Sequence, residues 1–203
     1  MYRNILRLDP TSVEAMSCLG TNYFYTDRPE VAIRFYRRLV QMGFQDFEVW
    51  NNLGLCSYFA SQYDITLSCF ERALDLVETD EDSAKVWYNI SHVAIGTGDL
   101  QLAYQSLRIC VASDPNHAEA YNNMGVLELR RGRTAQARSH FDTAQRLCPQ
   151  VYESQYNGAL LSYRKGELEV SHSQLNRSLS AYPEHVDSGV LMGRLRVLLS
   201  DSL

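Results

Sequence analysis

The sequence predicts an all-α fold, a right-handed superhelical solenoid built from antiparallel helix pairs. Two observations carry this reading. The dipeptides Gly98-Asp99, Gly132-Arg133 and Gly166-Glu167 recur every 34 residues, and Pro115, Pro149 and Pro183 recur at the same spacing. A fixed period of this length, with a glycine inside each unit and a proline at its end, marks a stacked helix-turn-helix array. Each unit of such an array buries its apolar face against its sequence neighbours.

The register follows from three aligned triplets: Trp50, Leu53, Gly54; Trp87, Ile90, Ser91; and Tyr121, Met124, Gly125. With the aromatic residue at position 4, units begin at Phe47, Ala84 and Ala118, and extension by the period adds starts at Val13 and Tyr152. The chain then holds five units, 13–46, 47–80, 84–117, 118–151 and 152–185, with Glu81, Asp82 and Ser83 inserted before the third. The run Glu78-Thr79-Asp80-Glu81-Asp82 around that insertion reads as an acidic loop.

Positions 4, 7, 8 and 11 share one face of each first helix, as Met16, Leu19, Gly20 and Tyr23 do in the opening unit. Positions 20, 24 and 27 do the same on the second helix, as Ala32, Tyr36, Leu39 and again Ala137, Phe141, Ala144. Small residues at 8 and 20 let two backbones approach, and large ones at 4, 11 and 24 fill the space above and below. Proline at position 32 cannot continue a helix and moves its predecessor out of the α region. The second unit departs from the pattern with Thr66 at position 20 and no glycine at 15, and the fifth with Gln155 at 4 and Ser178 at 27.

The two ends differ. Asp9-Pro10 matches positions 31–32, so residues 1–12 read as the second half of a truncated unit whose Tyr2, Ile5 and Leu6 lack a covering first helix. Residues 186–199 set Val186, Val190, Leu191, Leu195 and Leu198 at helical spacing beside Arg194 and Arg196, which predicts an amphipathic capping helix. This arrangement of residues is similar to that of the tetratricopeptide repeat, and the resemblance covers residues 13–185.

Composition excludes several function classes. The 203 residues are 45% hydrophobic and 21% charged, values of an ordinary globular chain. A net charge of −5 argues against a nucleic-acid binder, which would carry a basic stripe. No apolar stretch approaches the ~18 residues of a membrane span, so direct membrane insertion is not expected. Cys18, Cys56, Cys69, Cys110 and Cys148 form no CxxC pair and read as buried small residues in a reducing, cytosolic compartment.

Candidate chemistry is sparse. His92, His117, His140, His172 and His185 occupy repeat positions 9, 34, 23, 21 and 34 and do not converge. No HExxH or phosphate loop is present, so no catalytic, cofactor or metal site is expected. Position 6 carries Asn52, Asn89, Asn123 and Asn157 in four successive units. A row of carboxamides in a concave groove could grip an extended peptide backbone, and equally each could bond within its own repeat. Arg34, Arg37 and Arg38 cluster on one second helix and form the other candidate contact, since the guanidinium fork suits interfaces. The paired lysines with which some tetratricopeptide co-chaperones clamp a terminal carboxylate are missing, because Lys85 is the one lysine at position 2 and position 5 carries Ser17, Asn51, Tyr88 and Asn122 in the first four units.

Several stretches go beyond the repeat consensus: Arg34-Phe35-Tyr36-Arg37-Arg38-Leu39, Trp50-Asn51-Asn52-Leu53-Gly54-Leu55-Cys56, Val86-Trp87-Tyr88-Asn89-Ile90-Ser91-His92, and His117-Ala118-Glu119-Ala120-Tyr121-Asn122-Asn123. Together with Pro183-Glu184-His185-Val186-Asp187, they resemble the C-terminal half of one family of tetratricopeptide subunits of the BBSome, a coat-like complex that moves membrane proteins into and out of cilia. The resemblance implies a non-enzymatic scaffold without cofactors. Its implied partners are a second tetratricopeptide chain and β-propeller-bearing chains. The assembled complex would add ciliary membrane-protein cargo and an Arf-like small GTPase. The implied location is the cytoplasm, cilium, basal body and centrosomal region. Two other classes fit the repeat alone: an adaptor or co-chaperone binding a linear motif in its groove, and the repeat arm of an enzyme whose catalytic domain lies elsewhere.

Overall fold

A computed structural model describes residues 1–200. Among these residues there are twelve helices and no strand. They are α1 (Tyr2–Leu8), α2 (Val13–Tyr25), α3 (Pro29–Gln41), α4 (Phe47–Phe59), α5 (Tyr63–Leu76), α6 (Asp80–Thr97), α7 (Leu100–Ser113), α8 (Ala118–Arg130), α9 (Thr134–Leu147), α10 (Tyr152–Arg164), α11 (Leu168–Ala181) and α12 (Val186–Ser200). The chain divides into two compact units, Met1–Ser106 and Leu107–Leu203, and the division falls within α7.

Local chemistry sets the helix starts. Ser12, Asp46 and His117 cap α2, α4 and α8 by accepting the backbone N–H groups of Ala15, Glu48 and Ala120. Pro29 opens α3, where its missing N–H has no intrahelical role. The acidic run is a loop only at Glu78 and Thr79, and not throughout as its charges suggest. Thr79 caps α6 by accepting from Asp82 N at 3.1 Å and donating to Asp82 Oδ2 at 2.8 Å, so Asp80, Glu81 and Asp82 form the first helical turn. Three acidic residues there meet the positive end of the helix dipole. The inserted residues thus lengthen α6 to 18 residues, where α2 and α4 have 13. A 2.7 Å bond from Lys85, then that from Thr79, holds the Asp82 carboxyl below its ordinary range.

Each turn between paired helices contains one left-handed residue: Gly98 (φ 83°), Gly132 (75°) and Gly166 (78°). The same turn in the first two repeats is made by Asp27 (φ 57°) and Ser61 (φ 59°). The backbone solution is shared although the glycine is not.

In the first compact unit, α2 packs on α3, α3 on α4, and α4 on α5. Met16, Ala32, Ile33, Tyr36 and Leu39 join Val49 and Leu53 in one core, and Phe70, Ala73, Val86 and Ile90 form the next. Fully burying a side chain of this size stabilises by about 1.5–3 kcal/mol. α1 buries no residue, although Leu6 packs against the first core and Arg3 donates to the Tyr23 hydroxyl. Met1, Tyr2 and Arg3 border an open groove of about 660 Å³ with Cys18, Leu19 and Tyr25.

In the second compact unit α8 pairs with α9 and α10 with α11. Phe141 and Leu161 anchor one core, while Ala159, Leu175, Leu191, Met192 and Leu195 form another beneath α12. The capping helix therefore covers α11 through Leu191, Met192 and Leu195. Its Val186, Val190 and Leu198, grouped by spacing with the buried face, point outward instead.

The small residue at position 8 has a clear packing role. A Cβ added at Gly20 would stand 2.8 Å from the Tyr36 ring, one at Gly54 3.1 Å from Phe70, and one at Gly125 2.5 Å from Phe141. In each case the ring sixteen residues later lies directly on the glycine.

Candidate partner-binding surfaces

The asparagines of position 6 are tied into the protein. Asn89 Nδ2 donates to Asn51 Oδ1 at 3.0 Å, and Asn157 Nδ2 donates to Asn122 Oδ1 at 2.9 Å. Asn51 in turn donates to Asn52 Oδ1 at 3.4 Å, and Asn122 to Asn123 Oδ1 at 3.3 Å. Each compact unit thus contains the same relay of three carboxamides, joining a first helix to the first helix of the following repeat. Asn51 and Asn122 are both 7% exposed, so their oxygens depend on these bonds. The donors that a groove-bound peptide would use on Asn89 and Asn157 are partly committed. Asn52 and Asn123, both half-buried, accept from their neighbours.

Sequence reasoning singled out position 6 and missed Asn51 and Asn122 at position 5. The usable signal was the Asn-Asn dipeptide in alternate units, each followed by an asparagine at position 6 of the next.

The arginine cluster is also partly used. Arg38 Nη2 donates to the Pro10 carbonyl at 2.9 Å, tying α3 to the α1–α2 connection. Arg37 Nη2 donates to Gln62 Oε1 at 2.9 Å, reaching the α4–α5 turn. All three arginines are exposed, and among the described residues Arg34 makes no hydrogen bond or ion pair.

The strongest electrostatic feature lies elsewhere, at Glu128. Its side chain is 1% exposed and stands 3.5 Å from both Arg131 and Arg133, which rise from the α8–α9 turn. Neither carboxylate oxygen has a hydrogen bond in the described structure. Nearby Arg138 bridges to Glu167 and also donates to Ser162 Oγ at 3.4 Å. This network fastens a turn, since its charges satisfy one another and the carboxylate is enclosed. Burial pushes the His140 imidazole down, with the Glu128 charge opposing it.

The other histidines serve local structure. His117 caps α8 through Nδ1, His185 sits among Tyr152, Tyr156 and Tyr182 with Nδ1 at 2.6 Å from Ser188 Oγ, and His172 Nδ1 lies 3.3 Å from Asn176 Nδ2. Among the described residues no group of three or more His, Cys, Asp or Glu could hold a metal ion. No helix among them is long and apolar enough to cross a membrane.

Paired helices with a small residue at position 8 under a position-24 ring, joined through a left-handed residue at 15, define a tetratricopeptide-repeat solenoid. A family model for the tetratricopeptide repeat matches residues 88–152. Of solved structures, that of Pseudomonas aeruginosa pilF superposes with a TM-score of 0.79 over 94% of this chain and 85% of its own at 19% identity, a likeness of fold.

At the level of sequence, the chain is similar to tetratricopeptide repeat protein 8 of Mus musculus, 49% identical over 195 residues. That match takes in 96% of this chain and 38% of the relative, so the chain spans under two fifths of the relative's length. A more distant relative is BBSome complex member BBS4 of Bos taurus, 24% identical over 202 residues, covering 94% of this chain and 38% of that protein.

Proposed function

We propose that this chain acts as a non-enzymatic scaffold segment of a BBSome-type coat, bridging subunits for ciliary membrane-protein trafficking and cilium assembly. The observation that carries the reading is the 49% identity to tetratricopeptide repeat protein 8 across nearly the whole chain, joined by similarity to a protein named as a BBSome complex member. The physical basis is that, within each compact unit, buried carboxamides are spent on holding neighbouring repeats in register. The asparagine relays and the Glu128 network fix neighbouring elements, which suits a spacer that presents faces to several partners at once.

The partners in this reading are a second tetratricopeptide chain and β-propeller-bearing chains, with cargo and an Arf-like GTPase engaged through the assembled complex. The site of action is the cytoplasm and the cilium with its basal body and centrosomal region. Arg34 is the arginine with its donors uncommitted, so it is the contact to test from that cluster. The carboxamides of Asn52, Asn89, Asn123 and Asn157 act chiefly within the array in this reading.

The test is affinity purification of the full-length protein from ciliated cells, with mass spectrometry of co-purifying chains. Stoichiometric recovery of a second tetratricopeptide chain and β-propeller-bearing chains is expected, with Arg34→Glu lowering recovery and its resistance to salt. Recovery of the protein alone, together with unchanged ciliary membrane-protein content on its loss, overturns the reading.

A further inference from the structure

The helix α12 has the register of a first helix in a sixth 34-residue unit, because Val186 follows Tyr152 by one period. In earlier units positions 1, 4, 8 and 11 of the first helix lie under the second helix. Ala118, Gly125 and Glu128 are buried in one unit, and Gln155, Ala159 and Ser162 in the next. The corresponding residues of α12 are Val186, Gly189, Gly193 and Arg196, and all four are exposed. A Cβ at Gly189 or Gly193 would meet nothing within 4 Å, whereas one at Gly125 would run into the Phe141 ring.

Val190 and Val197, 51% and 59% exposed, fall on the same stripe, since steps of about 100° per residue bring them beside Val186 and Gly193. The opposite face, through Leu191, Met192 and Leu195, is already buried against α11. The helix is thus apolar on two sides, a pattern that belongs to a helix covered on both.

We propose that the outer face of α12 docks an amphipathic helix from another polypeptide, with an aromatic or large aliphatic residue seated on Gly193 and a carboxylate facing Arg196. The glycine asks for a ring by the same geometry that sets Tyr36 on Gly20, Phe70 on Gly54 and Phe141 on Gly125. Arg196 supplies the charge complementarity: a helix laid over this face takes the guanidinium out of water and must bring an opposite charge. Arg194, two residues earlier and also exposed, lies about 200° around the helix and so borders the stripe on its other edge. The docked helix continues the pairing made by α8 with α9 and α10 with α11. A second copy fits less well, because its own α12 has no aromatic residue for the seat on Gly193, and it sets two arginines, Arg194 and Arg196, against the same arginines with Asp187 as its one carboxylate. The inference does not depend on which complex the protein joins.

The test places a photo-crosslinking residue at Val190 of the full-length protein in cells lacking the endogenous copy, with Arg177 on α11 as the control site. Sequencing of the adducts is expected to return a segment of another polypeptide with apolar residues at helical spacing, including an aromatic, and with acidic flanks. Gly193→Phe, which fills the seat from the other side, is expected to lower that adduct at least tenfold without lowering the melting temperature. Val190→Asp serves as the second variant, with loss of that chain on purification as its readout. Adducts to another copy alone, to lipid, to the same polypeptide, or no enrichment over Arg177 overturn the proposal.

Discussion

Alanine at Gly125 and alanine at Gly193 are the same substitution at the same repeat position, and the structure gives them opposite signs. Removing a glycine from a helix interior gains about 1 kcal/mol in backbone propensity. At Gly125 the new methyl would stand 2.5 Å from the Phe141 ring, about 1 Å inside ordinary carbon contact. Phe141 is fully buried among Ala137 and Leu161, with Val126 and Leu129 alongside, so the ring has little room to retreat. Overpacking of this kind costs about 1–3 kcal/mol, and the depth of the clash places it near the upper value, for a net loss of about 2 kcal/mol. At Gly193 nothing lies within 4 Å, so the propensity gain of about 1 kcal/mol stands alone. For a chain of this size the melting temperature should fall by roughly 4–8 °C in Gly125→Ala and rise by roughly 2–4 °C in Gly193→Ala. Calorimetry gives the overall shift, and hydrogen exchange at the amides of α9 and α12 gives the local one. A Gly125→Ala protein as stable as its parent would refute the ring-on-glycine account, and a destabilised Gly193→Ala would show that the outer face of α12 is already covered.

Three further outcomes follow from particular groups. Asn89→Ala should lower stability by about 1–2 kcal/mol, because it leaves the buried Asn51 oxygen without its donor, and an unchanged denaturation midpoint would show that water replaces the bond. Burial pushes the thiols of Cys56 and Cys110 up to about 12 and that of Cys69 to about 11, so a thiol reagent at neutral pH should modify Cys18 and Cys148 first and the other three only on unfolding. Burial lowers the His140 pKa in the folded state, so the unfolded chain binds its proton first as pH falls. His140 therefore contributes stability above its ordinary value of about 6.5 that is lost as pH drops through the lowered one. Melting temperatures at pH 7.5 and 5.5 should differ less in His140→Phe than in the parent, and equal differences would remove His140 as the cause.

Much of the fold is legible because the period fixes several positions at once. Small residues at positions 8 and 20 and large ones at 4, 11 and 24 follow from residue size and helical spacing, whereas the seating of the Tyr36 ring on Gly20 is seen in the structure. The acidic run before the third repeat reads as a loop because a cluster of charges looks like one, although α6 begins within it at Asp80. The Thr79-x-x-Asp82 spacing is a capping signal, and three carboxylates favour a helix start. The asparagine row was legible as a row but not as a relay. Whether a carboxamide faces a groove or its neighbour depends on the offset between adjacent helices, which the sequence of one repeat does not encode. Glu128 was passed over because position 11 calls for a large residue, and only the turn carrying Arg131 and Arg133 explains how a carboxylate fits there. The outward valines of α12 were grouped with its inner leucines, since helical spacing alone does not say which side a neighbour occupies.

The five left-handed turn residues have a consequence for how the array comes apart. Glycine adopts this conformation freely, whereas a residue with a Cβ is held in it at a cost of about 1–2 kcal/mol, somewhat less for aspartate. Gly98, Gly132 and Gly166 are therefore at rest, and Asp27 and Ser61 are springs kept closed by the packing of α2 on α3 and of α4 on α5. When that packing loosens, those two turns relax to ordinary backbone and the others do not. Thermal breathing is thereby weighted toward the first two helix pairs, and a protease or chaperone sampling the folded chain would meet its opened backbone there first.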